Sequence, residues 1–225
     1  MRVFYGLIIT AVILMIGACA LKAYKKEGAL ARVVFLYELG AFICGIIFLV
    51  YTYVPGTTIT VLCKGLIMAS FDWLLVLLMY YTQYYTGMFK GVVGVKVFMI
   101  AYSLLETVAF LINTWTRWIF DITDISGDQI IVQFAKGNVL GRLHYVFAYG
   151  IMLLLILSYI VMVKRMSRFY RFRYFAILIL LFAAFSLDIM TTWSDSIYDM
   201  SMVAFGIMSV LIYYLTFLSL IHISE

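Results

Sequence analysis

Seven stretches of apolar sequence dominate this chain, each close to the roughly 20 residues that an α-helix needs to cross a hydrocarbon core of about 30 Å. They run from Phe4 to Ala23, Val33 to Tyr53, Ile59 to Tyr81, Val97 to Trp115, Tyr145 to Val163, Tyr174 to Met190 and Met202 to Leu220. Each run is continuous and rich in leucine, isoleucine, methionine and phenylalanine, where the strand of an outer-membrane barrel would alternate apolar and polar residues. Backbone polar groups inside lipid must bond to one another, so a continuous run of this length reads as a spanning helix. Composition agrees: 66% of the residues are apolar, 12% are charged and only Pro55 is available to break a helix. The expected fold is an all-α membrane protein of seven transmembrane helices, multi-pass, with the bilayer as its solvent.

Charge placement sets the expected orientation. Lys22, Lys25, Lys26 and Arg32 lie in or beside the first connector, Lys90 and Lys96 the third, and Lys164, Arg165, Arg168, Arg171 and Arg173 the fifth. Eleven of the sixteen basic residues therefore share one side, which the positive-inside rule makes the cytoplasm. The amino terminus is then outside and the carboxyl terminus inside. Asp121, Asp124, Asp128, Asp195 and Asp199 collect on the opposite side. The net charge of +5 follows from this asymmetry and calls for no nucleic-acid partner.

Two connectors carry structure of their own. Pro55-Gly56 leaves room only for a tight antiparallel helical hairpin. The segment from Thr116 to His144 is long and polar, and Ile130 to Phe134 following Ser126-Gly127-Asp128 reads as a short extracellular β-hairpin over the helix ends. Trp115, Trp118 and Trp193 fall at predicted membrane boundaries, where amphipathic rings anchor helices.

Ionisable residues inside the runs are costly in lipid and therefore informative. Glu38 and Lys64 start about five residues inside their helices, within roughly 8 Å of the boundary, and are expected to reach water by snorkelling. Asp72 and Glu106 lie near mid-depth. If the two faced one cavity they could share a proton or hold a cation; otherwise they are interhelical hydrogen-bonding acids. Arg142, His144, Asp188 and Asp195, with Trp115, Trp118 and Trp193, could line a ligand pocket at the outer mouth.

Other motifs lead nowhere. Cys19, Cys44 and Cys63 lie in apolar runs without metal-site or disulfide spacing and read as small core residues. Asp121, Asp124 and Asp128 do not follow the EF-hand pattern, and Val132 stands where its bidentate glutamate belongs. Ile16-Gly-Ala-Cys19 is similar to a lipoprotein cleavage box, but cleavage there would strand Lys22, Lys25 and Lys26 on the wrong side. The last run has no lysine for a retinal Schiff base. No nucleotide loop, kinase histidine box or nucleophile–base pair is present, so neither catalysis nor a cofactor or metal is expected of this chain.

The last eight residues, Leu218 to Glu225, match the in-frame translation of a transposon-adapter sequence used in short-read library preparation. The native sensor domain is accordingly expected to cover residues 1–217, with 218–225 an adapter-derived tail in which His222 has no function.

The pattern resembles the amino-terminal seven-helix sensor region of bacterial histidine kinases and diguanylate cyclases. The resemblance runs along most of the chain. It is carried by Phe71-Asp-Trp-Leu74 and Tyr81-Thr-Gln-Tyr-Tyr85, Ile112-Asn113, Leu143-His-Tyr-Val-Phe-Ala-Tyr149, Phe169-Tyr-Arg-Phe-Arg-Tyr174, and Asp199-Met-Ser-Met-Val-Ala-Phe-Gly206 leading to Ile212-Tyr-Tyr-Leu215. It implies a membrane input module in a bacterial cytoplasmic membrane, its last helix feeding a cytoplasmic output domain lost from this fragment. A GGDEF diguanylate cyclase is preferred over a histidine kinase, with homodimerisation through that domain. The signal, a small molecule or a property of the membrane, is not identified. The family's usual histidine after the fourth-span asparagine is replaced here by Thr116 and Arg117, so its ligand recognition does not carry over. A small-solute transporter or a structural membrane module is the competing class; neither inverted repeats nor proline-broken spans favour it.

Overall fold

The computed structural model describes residues 2–54, 56–126, 129–135, 138–194 and 200–221. Its helices are α1 (Arg2–Tyr24), α2 (Ala29–Tyr53), α3 (Thr57–Thr86), α4 (Val93–Thr116), α5 (Leu140–Arg165), α6 (Arg168–Ser194) and α7 (Met200–Ile221). All seven are long and apolar enough to span a membrane. Between α4 and α5 two antiparallel strands, β1 (Phe120–Ser126) and β2 (Gln129–Phe134), form a small sheet.

The helices outrun the apolar stretches that announce them, because a helix ends where its hydrogen-bonding pattern is capped, while hydropathy ends where lipid does. α3 continues to Thr86 and stops at Gly87, whose φ of 77° is the left-handed conformation suited to glycine. The Gly87 N–H closes the helix on the Gln83 carbonyl at 2.9 Å. At its other end α5 starts five residues before the apolar run, with Asn138 Oδ1 accepting the Leu140 N–H at 2.8 Å.

Each helix packs on its chain neighbour from α1 to α4 and again from α5 to α7, and α7 returns to pack on α1 and α2. α3 lies against α2, α4 and α5 and is the most enclosed helix. Close approach of α1 and α7 depends on Gly206, where an added Cβ would lie 2.2 Å from Val12 Cγ1. The core, including Tyr37, Leu78, Tyr81, Phe110 and Tyr159, is enclosed by these contacts, whereas Phe4, Leu14, Phe98, Val146, Phe172 and Phe182 point outward as a lipid-facing surface requires. Hydroxyls follow the same logic. Thr52, Thr82, Thr107, Ser158 and Thr216 each donate to the carbonyl four residues earlier, satisfying the side chain without water.

The sheet pairs Phe120 with Phe134 and Ile122 with Val132, then shifts register between Ile122 and Asp124, a β-bulge that bends the ribbon. Its base is fixed to α4 by one side chain. Asn113 Nδ2 donates to the Phe120 carbonyl at 2.9 Å, while Asn113 Oδ1 accepts the N–H of Ile119 at 2.7 Å and of Phe120 at 3.4 Å. The other end is tied toward α5: Asn138 Nδ2 donates to the Trp118 carbonyl at 2.9 Å, and Phe134 packs where a Cβ on Gly141 would intrude at 2.4 Å.

Candidate functional site

The buried face of α4 is a single narrow stripe. Lys96, Met99, Ser103, Glu106, Phe110 and Asn113 recur at alternating spacings of three and four, so Glu106 cannot turn inward without meeting a neighbouring helix. On α3, Asp72 shares the enclosed side with Met68, Val76 and Met79. On α5, Gly141, His144, Phe147 and Ile151 form the corresponding inward row. These three rows converge on one point.

There His144 Nδ1 lies 3.2 Å from Asp72 Oδ2 and 3.2 Å from Glu106 Oε2, so one ring nitrogen faces two carboxylates. Asp72 and Glu106 are fully buried and His144 is nearly so. Tyr102, one turn before Glu106, donates its hydroxyl to Glu106 Oε1 at 2.8 Å. Phe110 presents an edge to the imidazole, with ring centroids 5.6 Å apart and planes at 80°. A second link lies beside the first, because Trp73 Nε1 donates to Thr107 Oγ1 at 3.1 Å across the α3–α4 contact. Asp72 Oδ1 is left without a hydrogen-bond partner.

The electrostatic demand is plain. Two carboxylates buried inside a helical bundle carry charge that costs on the order of several kcal/mol per ion unless protons or a cation balance it. The donor atoms of Asp72, Glu106 and His144 all lie within 4.8 Å of one another, and all three residues are buried. Together they can share protons, hold a cation, or bind three helices into one hydrogen-bonded unit.

Sequence reasoning placed these residues in two separate groups. Asp72 and Glu106 stood as mid-depth acids, and the structure brings them to one site. His144 was grouped with the outer-mouth residues, and here the structure corrects the grouping: the ring is sequestered with the two acids, while Trp115 at 77% exposure, Trp118 at 65% and Arg142 lie outward. Asp188 is half-buried on α6. The Trp193 side chain, Asp195 and His222 fall outside the described residues. Tyr102 carried no sequence signal beyond its place one turn from a buried acid.

The other ionisable span residues divide too. Lys64 is half-buried. Glu38 does not snorkel: it is 0% exposed and accepts a 2.5 Å hydrogen bond from Ser209 of α7. Helical phase, not depth, decides this, because Glu38 follows Val34 and precedes Ala41 on the enclosed side of α2. Lys96 donates to the Gln83 side chain and sits 5.7 Å above the Tyr80 ring. Cys19, Cys44 and Cys63 are buried and unbridged. Asp121 pairs with Arg117 at 3.6 Å in a half-buried contact; the Asp124 side chain and Asp128 lie outside the described residues.

No protein-family model matches the chain, and no curated protein matches it.

Proposed function

We propose that this chain is the membrane input module of a bacterial signalling protein, in which a change at the Asp72–Glu106–His144 cluster alters helix packing and α7 carries that change out of the bilayer. The observation that supports it is that α3, the helix that carries Asp72 of the cluster, also meets α7 through a buried polar contact. α3 holds Asp72, and about two and a half turns further along the same helix the Tyr81 hydroxyl is hydrogen-bonded to the Thr216 hydroxyl of α7 at 3.2 Å. A second buried contact, Glu38 with Ser209, joins α2 to α7. A displacement of α3 is therefore felt by the last helix through specific side chains. Coupling of this kind requires only that a signal favour one of two helix arrangements over the other.

In this reading the amino terminus is outside the cell and the carboxyl terminus is cytoplasmic, as the basic connectors demand, in the bacterial cytoplasmic membrane. α7 then connects to an output domain, a GGDEF diguanylate cyclase in preference to a histidine kinase, dimeric through that domain. A small-solute transporter is the alternative, and buried span carboxylates, which mark ion pathways in many membrane proteins, are what favour it.

The test is a fusion of residues 1–217 in phase to a cyclase domain. Asp72→Asn, Ser209→Ala and Thr216→Val are expected to shift cyclase output several-fold in either direction while the protein still reaches the membrane. Output that stays constant across all three rejects the input-module reading. Solute or proton flux in proteoliposomes that disappears in Asp72→Asn would place the chain with the transporters.

A further inference from the structure

The geometry points to a divalent transition-metal site, of the zinc class, formed by Asp72 on α3, Glu106 on α4 and His144 on α5. This deepens the input-module reading, since a metal ion would be the signal or its cofactor at the same cluster.

Three observations carry it. The first is spacing. Ligands in a tetrahedral zinc site sit about 2.0–2.2 Å from the ion, which places them about 3.3–3.5 Å from each other. His144 Nδ1 lies 3.2 Å from one oxygen of each acid, and all three donor atoms fall within 4.8 Å, so an ion can enter with sub-ångström movement of the ligands.

The second is charge. Two carboxylates and a neutral imidazole balance one divalent cation, leaving a site of zero net charge in a membrane interior, where any residual charge is expensive. A mixed imidazole and carboxylate set with no thiolate suits zinc and its first-row neighbours and not a soft ion such as Cu(I).

The third is the surrounding shell. Tyr102 donates to Glu106 Oε1 and so turns Oε2 toward the imidazole, the outer hydrogen bond that protein metal sites use to orient a carboxylate ligand. Asp72 Oδ1 is buried and unpartnered. With Oδ2 on the metal, Oδ1 is placed to accept from a water in the fourth position, which removes the orphaned acceptor.

Such an ion would clamp α3, α4 and α5 at one point. Metal occupancy would then select one packing of α3, the helix that meets α7 through Tyr81 and Thr216.

The experiment uses the full chain, purified in detergent, stripped with chelator and titrated with Co2+ alone and then Zn2+ alone. One Co2+ per chain is expected, with the intense visible bands of a four-coordinate ion lacking thiolate charge transfer, and with displacement by Zn2+. His144→Ala and the near-isosteric Glu106→Gln are each expected to lose the bands. Tyr102→Phe, which keeps all three ligands, weakens affinity by about 10- to 100-fold. A variant with Cys19, Cys44 and Cys63 all replaced by serine binds as the parent does. Circular dichroism shows which variants keep their helices, and Tyr102→Phe keeps the test decisive if a ligand variant unfolds. Absence of stoichiometric Co2+ or Zn2+ binding overturns the proposal, as does binding that survives in a folded His144→Ala protein or vanishes with the cysteines. Binding at this site with no effect of Zn2+ on a cyclase fused after α7 sustains the site and counts against the input module. Absent binding alongside output that still responds to Ser209→Ala does the reverse.

Discussion

Among the described residues the bundle contains two buried carboxylate centres, and they differ in what surrounds them. Glu38 on α2 meets one hydroxyl, Ser209 on α7, and its other oxygen, Oε1, has no partner. Asp72 and Glu106 meet a histidine, a tyrosine and each other's vicinity. A single acid facing a single donor needs only to be protonated to be neutral, and it then acts as a hydrogen-bonding peg between two helices. Two acids facing an imidazole have several ways to become neutral, and each way draws the three helices together differently. Burial alone thus does not mark a functional group; the number of alternative charge-balanced states does.

The sharpest way to break this contrast is to remove the imidazole. His144→Ala takes from two buried carboxylates the one ring they share, leaving Glu106 only the Tyr102 hydroxyl, and loss of one member of a buried charge pair costs about 3–5 kcal/mol. A large fall in the unfolding midpoint of the metal-free protein in detergent is expected; a midpoint within error of the parent would make the cluster no different from the Glu38 peg. Next comes packing between α1 and α7. Gly206→Leu drives a side chain into Val12 and is expected to cost about 1–3 kcal/mol through overpacking, read by the same melt. Ser209→Ala orphans the second oxygen of Glu38 and is expected to cost about 1–3 kcal/mol, the penalty of an unsatisfied buried polar group. Glu38→Gln keeps an acceptor for Ser209 at nearly constant volume, so its effect is expected to stay under about 1 kcal/mol, within the net worth of one neutral hydrogen bond. Equal losses in Glu38→Gln and Glu106→Gln would erase the distinction. The smallest effect belongs to Trp118→Ala, an exposed site whose substitution is expected to stay within about 0.5 kcal/mol in detergent.

The seven helices were legible because lipid imposes a length and a composition on each span. Boundaries were less so. The run drawn from Tyr145 omits the polar turn Leu140-Gly-Arg-Leu-His144, which hydropathy assigns to a loop but which is the first turn of α5, its leading N–H held by Asn138 Oδ1. That five-residue difference is why hydropathy puts His144 at the mouth while the fold puts it beside Asp72 and Glu106. The two acids were visible as span carboxylates, and their meeting was not, since it depends on how α3, α4 and α5 are rotated about their axes. Glu38 shows the same limit from the other direction: its distance from the boundary suggested water, and its helical phase delivered Ser209.

The anchoring of the β-hairpin by Asn113 has a consequence for biogenesis. A chain emerges from the ribosome in order, so α4 is made before the hairpin and the hairpin before α5. Because Asn113 seizes Ile119 and Phe120, the ribbon cannot settle until the last turn of α4 has formed. Asn138 and Phe134 then offer α5 a surface already built. The position of α5 is thereby tied to the last turn of α4, with the hairpin serving as the gauge between them.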